Sequence, residues 1–97
     1  MFRIIKVEGE SMSPDYNSGD YVLVSRFPLL LHMVRIDSVL VFKSRKYGIL
    51  IKKVSEIDKV QKKYFLKGSN QMSLSTEMIG AIDEKSIIGS VLLHFRR

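Results

Sequence analysis

The chain has 97 residues, 45% of them hydrophobic, and no cysteine. This length predicts one domain, residues 1–97, with one modest core, and the lack of cysteine excludes disulfides, thiolate catalysis and cysteine–zinc sites. The net charge is +6, from 16 basic and 10 acidic residues. The basic residues are scattered and form no stripe with interleaved aromatics, so we expect no nucleic-acid partner.

Taken in chain order, the predicted elements are mostly strands. Runs rich in Val, Ile, Leu and aromatic residues predict strands at residues 2–7, 21–25, 38–43, 48–55, 64–67 and 87–95. The polar connection at residues 43–47 predicts a hairpin between the third and fourth strands. Residues 11–17 could form a short helix, with Pro14 in its first turn. Short strands at this density predict an all-β or β-dominated domain, either a sheet or a partly closed barrel.

Residues 27–34 form the longest apolar stretch, which His32 interrupts. The stretch is far shorter than the roughly 18 residues that span a bilayer, and its periodicity does not distinguish a helical turn, a strand or a loop. Its side chains either pack into the core or form a surface for peripheral contact with a membrane, a partner or a substrate. The first residues are too few and too polar for a signal peptide. We therefore expect a cytoplasmic protein, at most peripheral to a membrane.

Ser11 lies in a turn after the first predicted strand and is a candidate nucleophile. A serine in this position can also simply cap the segment that follows. As a nucleophile it needs a group that takes its proton. Neither His32 nor His94 lies in a recognisable hydrolase motif, although a Ser–His–Asp triad is defined by geometry and not by sequence order.

Lys52 is the other candidate base, because a lysine buried among apolar side chains loses hydration and its pKa falls. In a strand, Lys52 would share a face with Leu50 and Val54, whereas Lys53 would share the opposite face with isoleucines. Alternation alone therefore does not identify the buried lysine, and both could be surface residues.

The order of motifs along the chain resembles that of the signal peptidase I / LexA-like family of serine–lysine peptidases. The matching segments run from about residue 7 to residue 92. They are Gly9-Glu10-Ser11-Met12-Ser13-Pro14, Gly19-Asp20 before a Val-rich strand, Ile36-Asp37-Ser38-Val39-Leu40-Val41, Lys52-Lys53-Val54, Gly68-Ser69-Asn70 with Ser73-Leu74-Ser75, and Ile88-Gly89-Ser90-Val91.

The resemblance implies a small coiled β-sheet or partly closed barrel, with Ser11 as nucleophile and Lys52 as general base. The backbone around Ser11, Met12 and Gly9 would bind the oxyanion and the substrate, although Gly9 lacks the assisting hydroxyl that some relatives carry there. Ser73 and Ser75 would orient the lysine amine. The mechanism implies no metal and no cofactor.

By the same resemblance, the chain is a serine endopeptidase that removes a signal peptide or a short N-terminal propeptide from a protein substrate. It is most similar to small members without a membrane anchor, such as nickel-type superoxide dismutase maturation proteases. The chain departs from the family pattern in two places. It has Gly68-Ser69-Asn70 where the family has Gly-Asp-Asn, and it has Ser75 and Glu77 where the family has an Asp and an Arg. An inactive module that binds a peptide or partner is therefore the alternative; a nucleic-acid-binding barrel is suggested by charge alone. The oligomeric state is not indicated.

Overall fold

The computed structural model describes residues 2–9, 12–26, 34–69 and 79–97. Their secondary structure is dominated by seven strands that pair in one antiparallel sheet. The strands are β1 (Phe2–Lys6), β2 (Tyr21–Ser25), β3 (Val39–Ser44), β4 (Gly48–Asp58), β5 (Lys63–Lys67), β6 (Ile82–Asp83) and β7 (Ile87–Phe95), with a short 3₁₀ helix (Glu84–Ser86) between the last two.

The order of strands across the sheet is β1-β2-β7-β3-β4-β5-β6. β1 and β6 form its two edges, and within the described residues no strand pairing joins them. The predicted all-β coiled sheet is thus confirmed in its open form, whereas the described strands do not close into a barrel. β3 lies at the centre of the sheet, and its neighbour β4 carries Lys52.

The predicted strands agree with the structure to within three residues at each end. Residues 21–25 and 87–95 coincide with β2 and β7, while β4 continues three residues beyond its predicted end to Asp58. β3 and β4 form the predicted hairpin, in which Ser44 pairs with Gly48 and the hydroxyl of Ser44 accepts a hydrogen bond from the backbone N–H of Tyr47. Gly48 has a φ of +80°, a conformation that glycine adopts without a Cβ penalty. The two-residue β6 is too short to produce a sequence signal.

The core consists of two clusters on opposite faces of the sheet. Because side chains alternate along a strand, Leu40 and Phe42 of β3 pack into one cluster and Val41 packs into the other. The larger cluster contains the buried residues Leu40, Phe42, Val54, Tyr64, Leu66, Ile82 and Ile87. The smaller cluster contains Val7, Val22, Val24 and Val41.

The helix predicted for residues 11–17 is wrong for the described residues 12–17, which form a turn. The backbone N–H of Tyr16 donates to the carbonyl of Met12, a single hydrogen bond that no further helical bond follows. Polar side chains form the other hydrogen bonds of the turn: Ser13 Oγ donates to Asn17 Oδ1, and the side-chain amide of Asn17 donates to the backbone carbonyl of Pro14. Such local hydrogen bonds compete with helix formation.

The apolar stretch at residues 27–34 lies outside the described residues, apart from Val34, which packs against the larger cluster. Within the part of the chain that the structure describes, no helix combines the length and the apolar character needed to cross a membrane.

Candidate active site

Lys52 is the buried lysine of the pair that strand alternation alone left undecided. Only 1% of its surface is exposed, whereas Lys53 is half-buried and faces the other side of β4. Lys52 pairs across the hairpin with Leu40 and shares its face with Val54, and both of these residues belong to the larger apolar cluster. The side chain therefore leaves the strand next to the apolar core and not toward solvent.

This burial lowers the pKa of Lys52 below the 10.5 of an ordinary lysine. The cause is desolvation, because removal of water from an ammonium group penalises its charged form. A larger fraction of the amine is then neutral at a given pH than for a lysine in water, and only the neutral amine can accept a proton. The surroundings of Lys52 thus provide the chemical property that a general base requires.

The structure describes only some of the other predicted site residues. Ser11, Ser73 and Ser75 lie outside the described residues. Gly9, two residues before Ser11, has a φ of +83°, in the left-handed region that favours glycine. Met12, the residue bonded to Ser11, is fully buried. Gly9 and Met12 are thus the described residues nearest in sequence to the candidate nucleophile.

Asp15 connects the turn after Ser11 to the strand that carries Lys52. Its carboxylate lies 3.2 Å from Lys53 Nζ on β4 and accepts a hydrogen bond of 2.9 Å from Ser69 Oγ. The hydroxyl of Ser69 also lies 3.6 Å from the sulfur of Met12. The hydrogen bond from Ser69, and then that from Lys53, lowers the pKa of Asp15. The sequence analysis missed Asp15, because its partners are 38 and 54 residues away in the chain.

Asp20, the acidic residue of the Gly19-Asp20 motif, is buried and has three hydrogen-bond partners. Its carboxylate accepts from the backbone N–H groups of Arg97 and Asn17 and lies 2.7 Å from His94 Nε2. These hydrogen bonds, the one from Arg97 first, lower the pKa of Asp20 to about 2. His94 also stacks on Tyr16, with ring centroids 4.3 Å apart. Asp20, His94 and Tyr16 therefore connect the turn after Ser11 to β2 and β7. These contacts give Asp20 and His94 a structural role.

A groove of about 270 Å³ lies between the end of β1 and the first half of β4. Residues 5–8 line one side and residues 49–51 the other, with Val22 and Val41 between them. β4 pairs with β5 only from Lys53 onward, so among the described strands the first half of β4 is hydrogen-bonded on its β3 side alone. The groove therefore follows an available strand edge up to Ile51, the residue before Lys52.

The profile of the peptidase S24-like family matches residues 2–92, which is almost the whole chain. The chain belongs to the peptidase S24-like family. The predicted resemblance to LexA-like and signal-peptidase-like proteins is thereby confirmed at the level of the family, and this family membership indicates a serine-peptidase-like function. No curated protein sequence matches the chain significantly.

Proposed function

We propose that the chain is a serine endopeptidase in which Ser11 is the nucleophile and Lys52 the general base. The observation that carries the proposal is the complete burial of Lys52 beside the apolar core, in a chain of a peptidase family. Burial of a lysine penalises its charged form and so has a cost in stability, which is consistent with a functional role for the amine. A perturbed lysine of this kind is a candidate functional group.

In the proposed reaction, the neutral amine of Lys52 accepts the proton of the Ser11 hydroxyl while Ser11 Oγ attacks the scissile carbonyl carbon. The backbone N–H of Ser11 donates to the oxyanion that develops, a contribution of the kind that dominates many acyl transfers. The Lys52 ammonium then gives its proton to the leaving amine as the C–N bond breaks. Water, deprotonated by the same lysine, attacks the acyl-enzyme and releases the second product. By family resemblance, Ser73 and Ser75 orient the amine.

The contacts of Asp15 support this pairing of Ser11 with Lys52. Asp15 follows Ser11 by four residues and reaches Lys53, which is the neighbour of Lys52 in β4. The buried Met12 also brings the turn toward Ser69 at the end of β5. A nucleophile and a base on separate segments react efficiently only when the segments hold a fixed separation. We infer that Asp15 is a positioning residue for the dyad.

The groove supports an extended peptide as the substrate. A peptide strand lying between residues 5–8 and residues 49–51 would pair with the available edge of β4, and backbone hydrogen bonds would supply affinity without a sequence requirement. The apolar lining at Ile5, Val22 and Val41 would select small or aliphatic side chains in the substrate. A signal peptide or a short N-terminal propeptide presents such a segment, so we propose a processing role for the enzyme.

Mass-spectrometric analysis of a diverse peptide mixture tests the proposal. We expect cleavage by the wild type and none by Ser11→Ala or Lys52→Met, while Lys43→Met, a control at an exposed lysine of the neighbouring strand β3, retains cleavage. Circular dichroism should show that all four proteins are folded. Equal cleavage by all four would reject the dyad and indicate another site or a contaminant.

The pH dependence gives a second and independent test. Because the neutral amine of Lys52 is the active form, kcat/KM should rise with pH, with a midpoint below 10.5. A profile that is flat from acid to alkaline pH would exclude Lys52 as the base.

Ser69 stands where the family pattern has an aspartate, and this difference motivates one alternative function. The chain would then be an inactive module that binds an extended peptide in the same groove. The two functions differ in the experiment above. An inactive module would leave the peptides intact but retain some of them on the immobilised protein, and Ser11→Ala would bind them as the wild type does.

A further inference from the structure

The outer face of the β1-β2-β7 part of the sheet is apolar and uncovered in the described structure. Ile5, Val22 and Val24 point into the smaller core cluster, so the side chains that alternate with them lie on the opposite face. The strand register aligns them in two rows across the three strands. The rows are Ile4, Leu23 and Leu93, and Lys6, Tyr21 and Phe95, with Phe2 beyond the first row.

This surface, which we call the outer face, exposes a large apolar area. Taking about 200 Å² for a fully exposed side chain of this size, its exposed side chains present an apolar patch on the order of 500 Å². Patches of this size on monomeric proteins are often functional. The exposed fractions are 62% for Phe2, 65% for Ile4, 45% for Tyr21, 53% for Leu93 and 47% for Phe95.

The charges around the outer face indicate what covers it. β1, β2 and β7 contain no Asp or Glu, whereas Lys6 lies on the face and the exposed residues Arg26, Arg96 and Arg97 follow β2 and β7 directly. The acidic residues near these basic ones include Glu8, beyond the end of β1, and Asp20, which is buried in its hydrogen bonds. Asp15, close enough to Arg96 to interact electrostatically, and Glu84, whose carbonyl accepts from Arg26, lie at the rim and not on the outer face. An apolar, aromatic centre with a cationic rim is complementary to an anionic lipid surface, in which apolar side chains enter the headgroup region.

We propose that the outer face docks the protein on anionic membranes. A second copy of the chain fits less well, because a symmetric contact would bring Lys6 and the C-terminal arginines of both copies together. The docking surface lies on the face of β1 and β2 opposite the smaller core cluster, whereas Val22 lines the groove from the other face, and Lys6 at the end of β1 is the residue named for both surfaces. Binding to a membrane would leave that groove accessible.

Co-sedimentation with vesicles tests the proposal. We expect the wild type to sediment with phosphatidylcholine–phosphatidylserine vesicles, not with pure phosphatidylcholine vesicles, and to be released by high salt because screening weakens the cationic rim. Ile4→Ser combined with Phe95→Ser should lower the partition coefficient by about tenfold or more. Lys6→Ala should lower it less and only at low salt.

Val60→Ser is the matched control, because Val60 is an apolar residue with 93% exposure in the turn between β4 and β5. It should bind vesicles as the wild type does, and thermal unfolding should show that every variant is folded. No sedimentation of the wild type with anionic vesicles would overturn the proposal, as would equal losses for Val60→Ser and the double variant. A wild-type dimer in analytical ultracentrifugation that Ile4→Ser dissociates would also overturn it, since the face would then be occupied by a second copy.

Discussion

Replacement of Lys52 by methionine should stabilise the fold, even though it removes the proposed base. Methionine has a similar length and no charge, so it fills the space beside Leu40 and Val54 without the desolvation of an ammonium group. Buried ion pairs that are replaced by apolar side chains of similar volume often leave stability unchanged or increase it, and the desolvation cost that is removed applies equally to a single ammonium. The gain should be greatest near neutral pH and should decrease as the solution becomes alkaline.

The pH dependence follows from the lowered pKa of Lys52. Between that pKa and 10.5, the unfolded chain carries a proton on Lys52 that the folded chain has lost. The free energy of unfolding of the wild type therefore rises with pH across this window, by at most about 1.4 kcal/mol per pH unit, because one proton is involved. Below the window both states are protonated and the full penalty of burial remains. Above 10.5 both are neutral and the penalty is absent.

Urea unfolding of the wild type and Lys52→Met at a series of pH values measures this difference. Other groups titrate in both proteins, so the quantity of interest is the difference between the two free energies of unfolding at each pH. Lys53→Met serves as the control: Lys53 is half-buried and paired with Asp15, and its loss should give no gain that fades toward alkaline pH. A constant difference between wild type and Lys52→Met at all pH values would refute the argument from burial.

Three further predictions concern the positioning contacts and the core. Asp15→Asn should lower kcat/KM by roughly ten- to hundredfold through kcat, because the turn after Ser11 loses its ion pair with β4; Asp37→Asn, at a left-handed position that Asn tolerates, should leave steady-state kinetics unchanged. The native Asp20 carboxylate stabilises the fold above its unfolded pKa of 3.8 and loses this effect as the pH falls through about 2. In urea unfolding, the free energy of unfolding of Asp20→Asn should therefore fall less steeply than that of the wild type between about pH 4 and pH 2. Phe42→Ala should reduce the free energy of unfolding by about 3–5 kcal/mol by leaving a cavity in the larger cluster, whereas Phe2→Ala, at an exposed position, should change it little; a similar loss in both would contradict the assigned core.

Most strands were predictable because their apolar residues are contiguous and their turns carry polar residues or glycine. The extension of β4 to Asp58 was not, since the register of β4 against β5 shifts between Val54 and Glu56. A bulge of this kind is stabilised by a contact distant in sequence, here the hydrogen bond that Ser55 Oγ donates to the carbonyl of Phe65. The turn at residues 12–17 was mispredicted as a helix for a related reason, because side-chain hydrogen bonds decided its conformation.

In the candidate site, too, the features set by nearby residues were predictable, whereas those set by contacts distant in sequence were not. The motif order assigned Lys52 as the base and Lys53 as its neighbour, but the burial of Lys52 depends on β3, which places Leu40 opposite it. Asp15 and Asp20 make their decisive contacts with residues more than 35 positions away, to Lys53, Ser69 and His94. No spacing rule along the chain encodes such contacts.

The change from Asp to Ser at position 69 is better explained by Asp15 than by loss of function. Ser69 Oγ donates to the Asp15 carboxylate at 2.9 Å, and the same carboxylate lies 3.2 Å from Lys53. An aspartate at position 69 would place a second carboxylate beside the first, and two like charges at that distance repel. The neutral hydroxyl is therefore the side chain that fits a site whose carboxylate is contributed by Asp15, and the departure at this position does not by itself argue against an active peptidase.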